Sequence, residues 1–192
     1  EILFLGDDVE LLEAFEEGYP NLTIFLTFGY SLPWALCGGK PEMLSQAEYG
    51  LLAPFLDGML EGVNGSVKLV DGHELSYAFK NPGDFAKAYR TMRQSLLPIV
   101  ADPPTYSRVL SISFGLWMDQ NWRKLGWSTN DFAKNFFTPE QFQACTRAAL
   151  EAADEYVWIY TEVPRWWSDA GTPVQLPAAY DAAVRRARMS EK

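Results

Sequence analysis

Histidine is nearly absent from this chain. Among 192 residues there is one, His73. A zinc site built on two or three imidazoles is therefore impossible within the chain, as are an HExxH motif and a two-histidine iron site. Cysteine is almost as scarce. Cys37 and Cys145 lie far apart with no CxxC spacing, which excludes a structural zinc ribbon or a thioredoxin-type motif. They are read as two free core thiols, with one disulfide between them as the alternative, and the compartment is left undetermined. No uninterrupted apolar run reaches about 18 residues, so no membrane span is expected. Basic charge is also short: 16 Lys and Arg stand against 25 Asp and Glu, a net charge of −9. A nucleic-acid surface needs a basic face to displace counterions, so no nucleic-acid partner is expected. Solubility is the plain reading of the acidity.

What the chain does have is apolar and aromatic: 48% hydrophobic and 15% aromatic residues. That is too apolar for disorder and enough for one buried domain or part of a larger one. Asn21-Leu22-Thr23 and Asn64-Gly65-Ser66 match the glycosylation sequon, a triplet that also arises often by chance. The chain opens on Glu1 with no basic, apolar leader after it. A processed product and a piece of a longer protein both fit, and the element pattern favours the piece.

Residues 2–17 carry Leu5, Val9, Leu12 and Phe15 at helical spacing, and Gly18 and Pro20 stop the helix. Residues 22–29 then alternate as a strand, with Leu22, Ile24, Leu26 and Phe28 on one face. Thr23, Phe25, Thr27 and Gly29 form the other face. A loop with Pro33, Gly38 and Gly39 leads to a helix over about 41–61. Residues 67–71 form a second strand ending in Gly72-His73-Glu74, and a helix follows over about 84–100. A third strand, 108–114, ends in Gly115-Leu116-Trp117-Met118-Asp119. Thr138-Pro139-Glu140-Gln141 opens another helix through a capping box with proline at its first position. Residues 156–162 make the fourth strand, and a helix over about 177–189 closes the chain.

The order is α(βα)₄, and strands alternating with helices imply α/β architecture with four parallel strands. An open doubly wound sheet competes with part of a (β/α)₈ barrel. No GxGxxG or GxxxxGK[ST] follows any strand. The strands pair an aliphatic face with a face of small, polar or aromatic residues, such as Ser111, Ser113, Gly115 and Trp117 opposite Leu110, Ile112, Phe114 and Leu116. An open parallel sheet reads instead as a near-continuous aliphatic run. The reading is therefore residues 1–192 as a single α(βα)₄ unit, the C-terminal half of a (β/α)₈ TIM barrel, which typically needs about 250 residues. Its partner would be the N-terminal half or a second copy.

Barrel active sites lie at the C-terminal ends of the strands. Here those ends deliver Asp71, His73 and Glu74 from the second strand, and Trp117, Asp119 and then Trp122 from the third. The fourth gives Glu162, Trp166 and Trp167. Carboxylates among tryptophans suit carbohydrate chemistry. Glycosidic cleavage takes one carboxylic acid to protonate the leaving oxygen and a second carboxylate as nucleophile or base, while indole faces stack on sugar rings. The catalytic candidates are Glu162, Asp119, Glu74 and Asp71; the substrate-binding candidates are Trp117, Trp166, Trp167, His73 and Tyr160. Each has a bland alternative: a solvated strand end for Glu162, a turn for Asp119 and Asp71, and packing under a loop for Trp166 and Trp167. His73 is more often a hydrogen-bonded structural residue than a catalyst. Strand parity leaves open whether Asp71 or Glu74 points inward. Trp34 and Trp127 lie in loops with either role open. Asp154 and Glu155 precede the fourth strand, at the wrong end for catalysis.

The run 156–162, with Pro164-Arg165-Trp166-Trp167, resembles the closing strand of glycoside-hydrolase-type TIM barrels. Residues 70–77 and 114–119 are similar to the preceding strand ends of bacterial glycosidase-like proteins. The resemblance spans about residues 19–189 and implies a barrel that hydrolyses a carbohydrate without a cofactor. In many retaining members the nucleophile is a glutamate ending strand seven and the acid ends strand four. Here Glu162 ends the last strand, and a strand-four position would lie outside this chain. Two alternatives stand beside that reading: a non-catalytic carbohydrate-binding barrel, and a hydrolase or isomerase holding Mg²⁺ or Mn²⁺ on Asp71, Glu74, Asp119 and Glu162, which needs no histidine pair.

Overall fold

A computed structural model describes residues 3–63, 67–121, 124–167 and 175–189. The second sequon and Trp122 lie outside the described residues. The helices are α1 (Leu3–Gly18), α2 (Ser31–Leu36), α3 (Leu52–Glu61), α4 (Gly83–Arg90), α5 (Pro103–Val109), α6 (Pro139–Ala152) and α7 (Ala178–Arg188). The strands are β1 (Thr23–Leu26), β2 (Lys68–Asp71), β3 (Leu110–Ile112), β4 (Phe114–Trp117) and β5 (Val157–Tyr160). The architecture is α/β with every strand pair parallel. β1, β2 and β3 form one sheet in that order, and β4 and β5 form a second. Among the described residues neither sheet closes on itself.

The expected third strand is divided. Arg108 and Val109 belong to the end of α5, whose Asp102 caps it by accepting from the Thr105 amide at 3.2 Å. The stretch 110–117 then serves both sheets: its first half pairs with β2 and its second half with β5. Between them the Ser113 amide still donates to the Asp71 carbonyl at 2.8 Å. The expected helix over 41–61 is likewise two pieces, a 3₁₀ turn at Pro41–Gln46 and then α3. The helix over 84–100 loosens after α4 into a π turn (Thr91–Ser95) and a 3₁₀ turn (Leu97–Ile99) containing Pro98. Proline lacks the amide that a continuing helix would need. The capping box at Thr138 is present, with Gln141 N donating to the threonine hydroxyl and Gln141 Oε1 accepting from Thr138 N.

Side-chain alternation runs unbroken from 110 to 117 and sets the two faces. Leu69, Leu110, Ile112, Phe114 and Leu116 are buried in one core, with Leu22, Ile24, Leu26, Val157 and Ile159 packed against it. Residues of α3, α6 and α7 join the same core. The opposite face carries an aromatic cluster. Phe25 meets Trp158 edge-on at 5.8 Å, and Tyr77 lies 5.2 Å from Trp158 and 5.8 Å from Trp117. Gly115 makes room for it: a Cβ there would stand 2.8 Å from both the Trp158 and Tyr77 rings. This face is incompletely covered, with Phe25 40% and Tyr160 38% exposed. Both cysteines are buried and free. Among the described residues no helix is long and apolar enough to cross a membrane.

Candidate functional site

The C-terminal ends of β2, β4 and β5 meet on the aromatic face. Glu74 opens a 3₁₀ turn, Glu74–Ala78, that also presents Tyr77. Tyr77 stacks on Tyr160 with ring centres 5.7 Å apart and planes 15° from parallel. Ser76 ties this turn to β4, accepting from Gly115 N at 3.0 Å and facing the Gly115 and His73 carbonyls with its single proton. Trp158 Nε1 donates to the Gly72 carbonyl at 2.8 Å, fastening β5 to the end of β2.

Three of the four candidate carboxylates bear on Tyr160, Glu162 by a direct hydrogen bond and Asp119 and Glu74 through their charges. The Tyr160 hydroxyl donates to Glu162 Oε1 at 3.3 Å. Burial, and after it the charges of Glu162, Asp119 and Glu74, push the Tyr160 phenol up from its ordinary value. Burial also raises the Glu74 carboxyl, with a hydrogen bond from Tyr77 opposing. Asp119 plays a different part. It is buried, and its carboxylate accepts from Trp117 Nε1 at 3.1 Å, Glu162 N at 3.1 Å and Val163 N at 2.8 Å. Its lone pairs are thus committed to pinning the loop after β5 against the end of β4. Among the described residues no group of three His, Cys, Asp or Glu side chains comes close enough together to hold a metal ion. The oxygen-ligated metal alternative therefore has no ligand set there.

Asp71 is not at this rim. Its register partners are Leu26 and Ile112, so its side chain falls on the helix side, fully buried. Oδ1 accepts from His73 N at 2.9 Å. Desolvation pushes the carboxyl up to about 7, against the lowering influence of the His73, Gly29 and Ser31 amides. Oδ2 has no partner of hydrogen-bond geometry, and it packs where a Cβ on Gly29 would clash. His73 turns the same way. Its Nδ1 lies 2.9 Å from Ser31 Oγ, and its ring meets Phe79 and Phe114 edge-on. Burial pushes the imidazole down to about 4, so it is neutral near pH 7. His73 also adopts a left-handed backbone, φ 43° and ψ 61°, a conformation that costs a non-glycine residue on the order of 1 kcal/mol or more.

The tryptophans divide in a similar way. Trp117 is buried within the aromatic cluster. Trp166 donates to Asp181 of α7 at 3.3 Å, and Trp167 is 84% exposed; among the described residues no ring contact joins either to the Tyr77–Tyr160 stack. Trp127 packs on Tyr180 at 4.9 Å, and Trp34 sits within α2. Asp154 and Glu155 anchor the opposite strand ends, Asp154 through Arg93, Tyr89 and Ile112 N and Glu155 through Lys68. Sequence reasoning did not single out Tyr77 or Ser31. Tyr77 had a usable signal, lying three residues after Glu74 and so on the same side of a 3₁₀ turn. Ser31 follows the end of the first strand, which is where barrel sites collect. Comparison with protein-family models, with curated proteins and with solved structures found no match for this chain.

Proposed function

We propose that the chain is the C-terminal half of a glycoside-hydrolase-type (β/α)₈ barrel and acts on a carbohydrate at the rim formed by Glu74, Tyr77, Tyr160 and Glu162. One observation carries the reading: at the strand ends Glu162 accepts from the Tyr160 hydroxyl, Asp119 holds the Glu162 amide, and Tyr77, from the turn that Glu74 opens, stacks on Tyr160. The roles follow from the surroundings. Glu74, raised by burial, keeps its proton to higher pH than a solvated glutamate and serves as the acid that protonates the leaving oxygen. Glu162 is exposed and is steered by Tyr160; it serves as the nucleophile or as the base that activates water. Asp119 is a positioning residue that acts through the Glu162 backbone. Tyr77, Tyr160 and Trp117 supply the faces on which a sugar ring stacks.

The half-barrel part of the proposal is supported by sequential parallel strands, outer edges on β1 and β5 that no strand among the described residues pairs, and an aromatic face left partly in water. The carbohydrate part is tested with a panel of 4-nitrophenyl glycosides and with oligosaccharide titrations followed by tryptophan fluorescence. Glu74→Gln and Glu162→Gln should each lower turnover by about 10²- to 10⁴-fold and leave sugar binding within a few-fold. Saturable binding without turnover in the native protein would assign the non-catalytic barrel. Absence of both would remove the carbohydrate reading.

A further inference from the structure

On the helix side of the β2 end, away from the proposed carbohydrate rim, α2 and α4 flank a cleft of about 410 Å³. That volume lies in the range of small-molecule sites, which are mostly apolar with a few placed polar groups. The walls here include Trp34, Leu75, Phe79 and Met92, and His73, Ser31 and Thr91 bring the uncharged polar groups. Asp84 and Lys87 of α4 also line it and bring one charge of each sign.

His73 is held in place before any ligand arrives. Its amide donates to Asp71, its carbonyl accepts from Ser76, and its Nδ1 pairs with Ser31 Oγ. These three bonds keep a left-handed backbone in a residue other than glycine, a conformation that persists only where the surroundings over-determine it and that gathers at functional sites. With Nδ1 engaged, Nε2 is the ring nitrogen left for a ligand.

We propose that this cleft is a binding site for a small uncharged aromatic molecule bearing one hydroxyl group, its ring between Trp34, Phe79 and Met92 and its hydroxyl on His73 Nε2. A hydroxyl is the group that fits. Ser31 can donate to Nδ1 or accept from it, so Nε2 is a donor in one tautomer and an acceptor in the other, and a hydroxyl serves both. A charged ligand is disfavoured. Burial leaves the imidazole neutral, the buried Asp71 carboxyl lies beyond Ser31, and Asp84 and Lys87 offset each other, so no net charge rewards an ion for losing its water. Residues of the carbohydrate rim do not line this cleft, so the two readings stand or fall separately.

His73 is the sole histidine, so its imidazole C–H signals are assignable without ambiguity. The probe is 4-fluorophenol, followed by ¹⁹F NMR and by the His73 signals in one titration. Saturable binding with a shift at His73 is expected, and affinity should fall about tenfold in His73→Gly through loss of one hydrogen bond. Glycine accepts the left-handed backbone, so this variant keeps the turn; the wild-type His73 shift is a second readout independent of any variant. Neither 4-fluorobenzoate nor 4-fluorobenzylamine should bind comparably. No saturable binding, binding that leaves the His73 signals unmoved, full affinity in His73→Gly, or equal affinity for the charged analogues would each overturn the proposal.

Discussion

Asp71 and His73 are adjacent buried groups whose contributions to stability run in opposite directions with pH. The Asp71 carboxyl is raised from 3.8 to about 7 in the folded state. Its contribution is therefore fully present below about pH 4 and is lost as pH rises through about 7. The His73 imidazole is lowered from 6.5 to about 4, so its contribution is fully present above about pH 6.5 and is lost as pH falls through about 4. Each unit corresponds to about 1.4 kcal/mol, which makes roughly 4 kcal/mol for Asp71 and roughly 3 kcal/mol for His73. Between about pH 4 and 6.5, unfolding releases a proton from Asp71 and takes one up on His73, so the pair adds no net slope there. The perturbation that separates them is His73→Asn. Asparagine tolerates the left-handed backbone and keeps the backbone N–H that donates to Asp71 Oδ1 but does not titrate. Urea unfolding at closely spaced pH values gives the stability of both proteins. The wild type should gain roughly 3 kcal/mol relative to the variant on going from pH 4 to 6.5, because only the variant carries the Asp71 slope uncompensated. Parallel profiles would refute the reasoning, as would a His73 titration midpoint near 6.5 in the native protein.

The remaining expectations concern the aromatic face. Asp119→Ala leaves Trp117 Nε1, Glu162 N and Val163 N without their acceptor; it should cost about 3 kcal/mol in chemical denaturation, and a loss under about 0.5 kcal/mol would show that these loops do not depend on it. Gly115→Ala places a methyl 2.8 Å from the Trp158 and Tyr77 rings and should destabilise by about 1 to 3 kcal/mol, with a shift in tryptophan emission; a silent substitution would deny the close packing. The half-barrel reading expects dimers or larger species in sedimentation velocity, because partly exposed rings such as Phe25 and Tyr160 each forgo part of the roughly 1.5 to 3 kcal/mol available from full burial. A monomer that unfolds cooperatively and stays monomeric at high concentration would refute it.

The alternation of strands and helices was legible because it rests on side-chain period, which the sequence states directly. The faces were legible for the same reason: Leu110, Ile112, Phe114 and Leu116 all turn to the core, and the alternate positions Ser111, Ser113, Gly115 and Trp117 lie on the other face. Boundaries were harder. Arg108-Val109 has strand-like character, yet Asp102 capping and Pro103-Pro104 at the first turn draw it into α5. Pro33 reads as a loop residue but lies within the short helix α2, in the first turn, where its missing amide costs nothing. At the site, Glu74, Asp119, Glu162, Tyr160 and Trp117 come together, while Asp71, His73, Trp166 and Trp167 go elsewhere. The aromatic stack with Tyr77 was not legible, because it depends on how the 74–78 turn meets β5 across a long sequence separation.

The end of β2 explains why one short run supplies two unlike places. Asp71 is the last strand residue, and its parity with Leu69 sends it to the helix side. If the strand had simply continued, Gly72 would turn back to the aromatic face, His73 to the core and Glu74 to the aromatic face. The strand stops instead, and the left-handed turn at His73 keeps those destinations while shortening the path. Glu74 N still reaches the Thr27 carbonyl at 3.0 Å, so Glu74 starts its turn beside Tyr160 and not one strand step further out. Gly72 permits this, since a Cβ there would meet the Phe25 ring at 2.5 Å and the Leu26 carbonyl at 2.7 Å. The hydrogen bonds from His73 N to Asp71 Oδ1, between His73 Nδ1 and Ser31 Oγ, and from Ser76 Oγ to the His73 carbonyl hold the turn from three directions. The neutral imidazole on one side and the raised glutamate on the other are thus consequences of a single backbone reversal, and loosening the turn should disturb both.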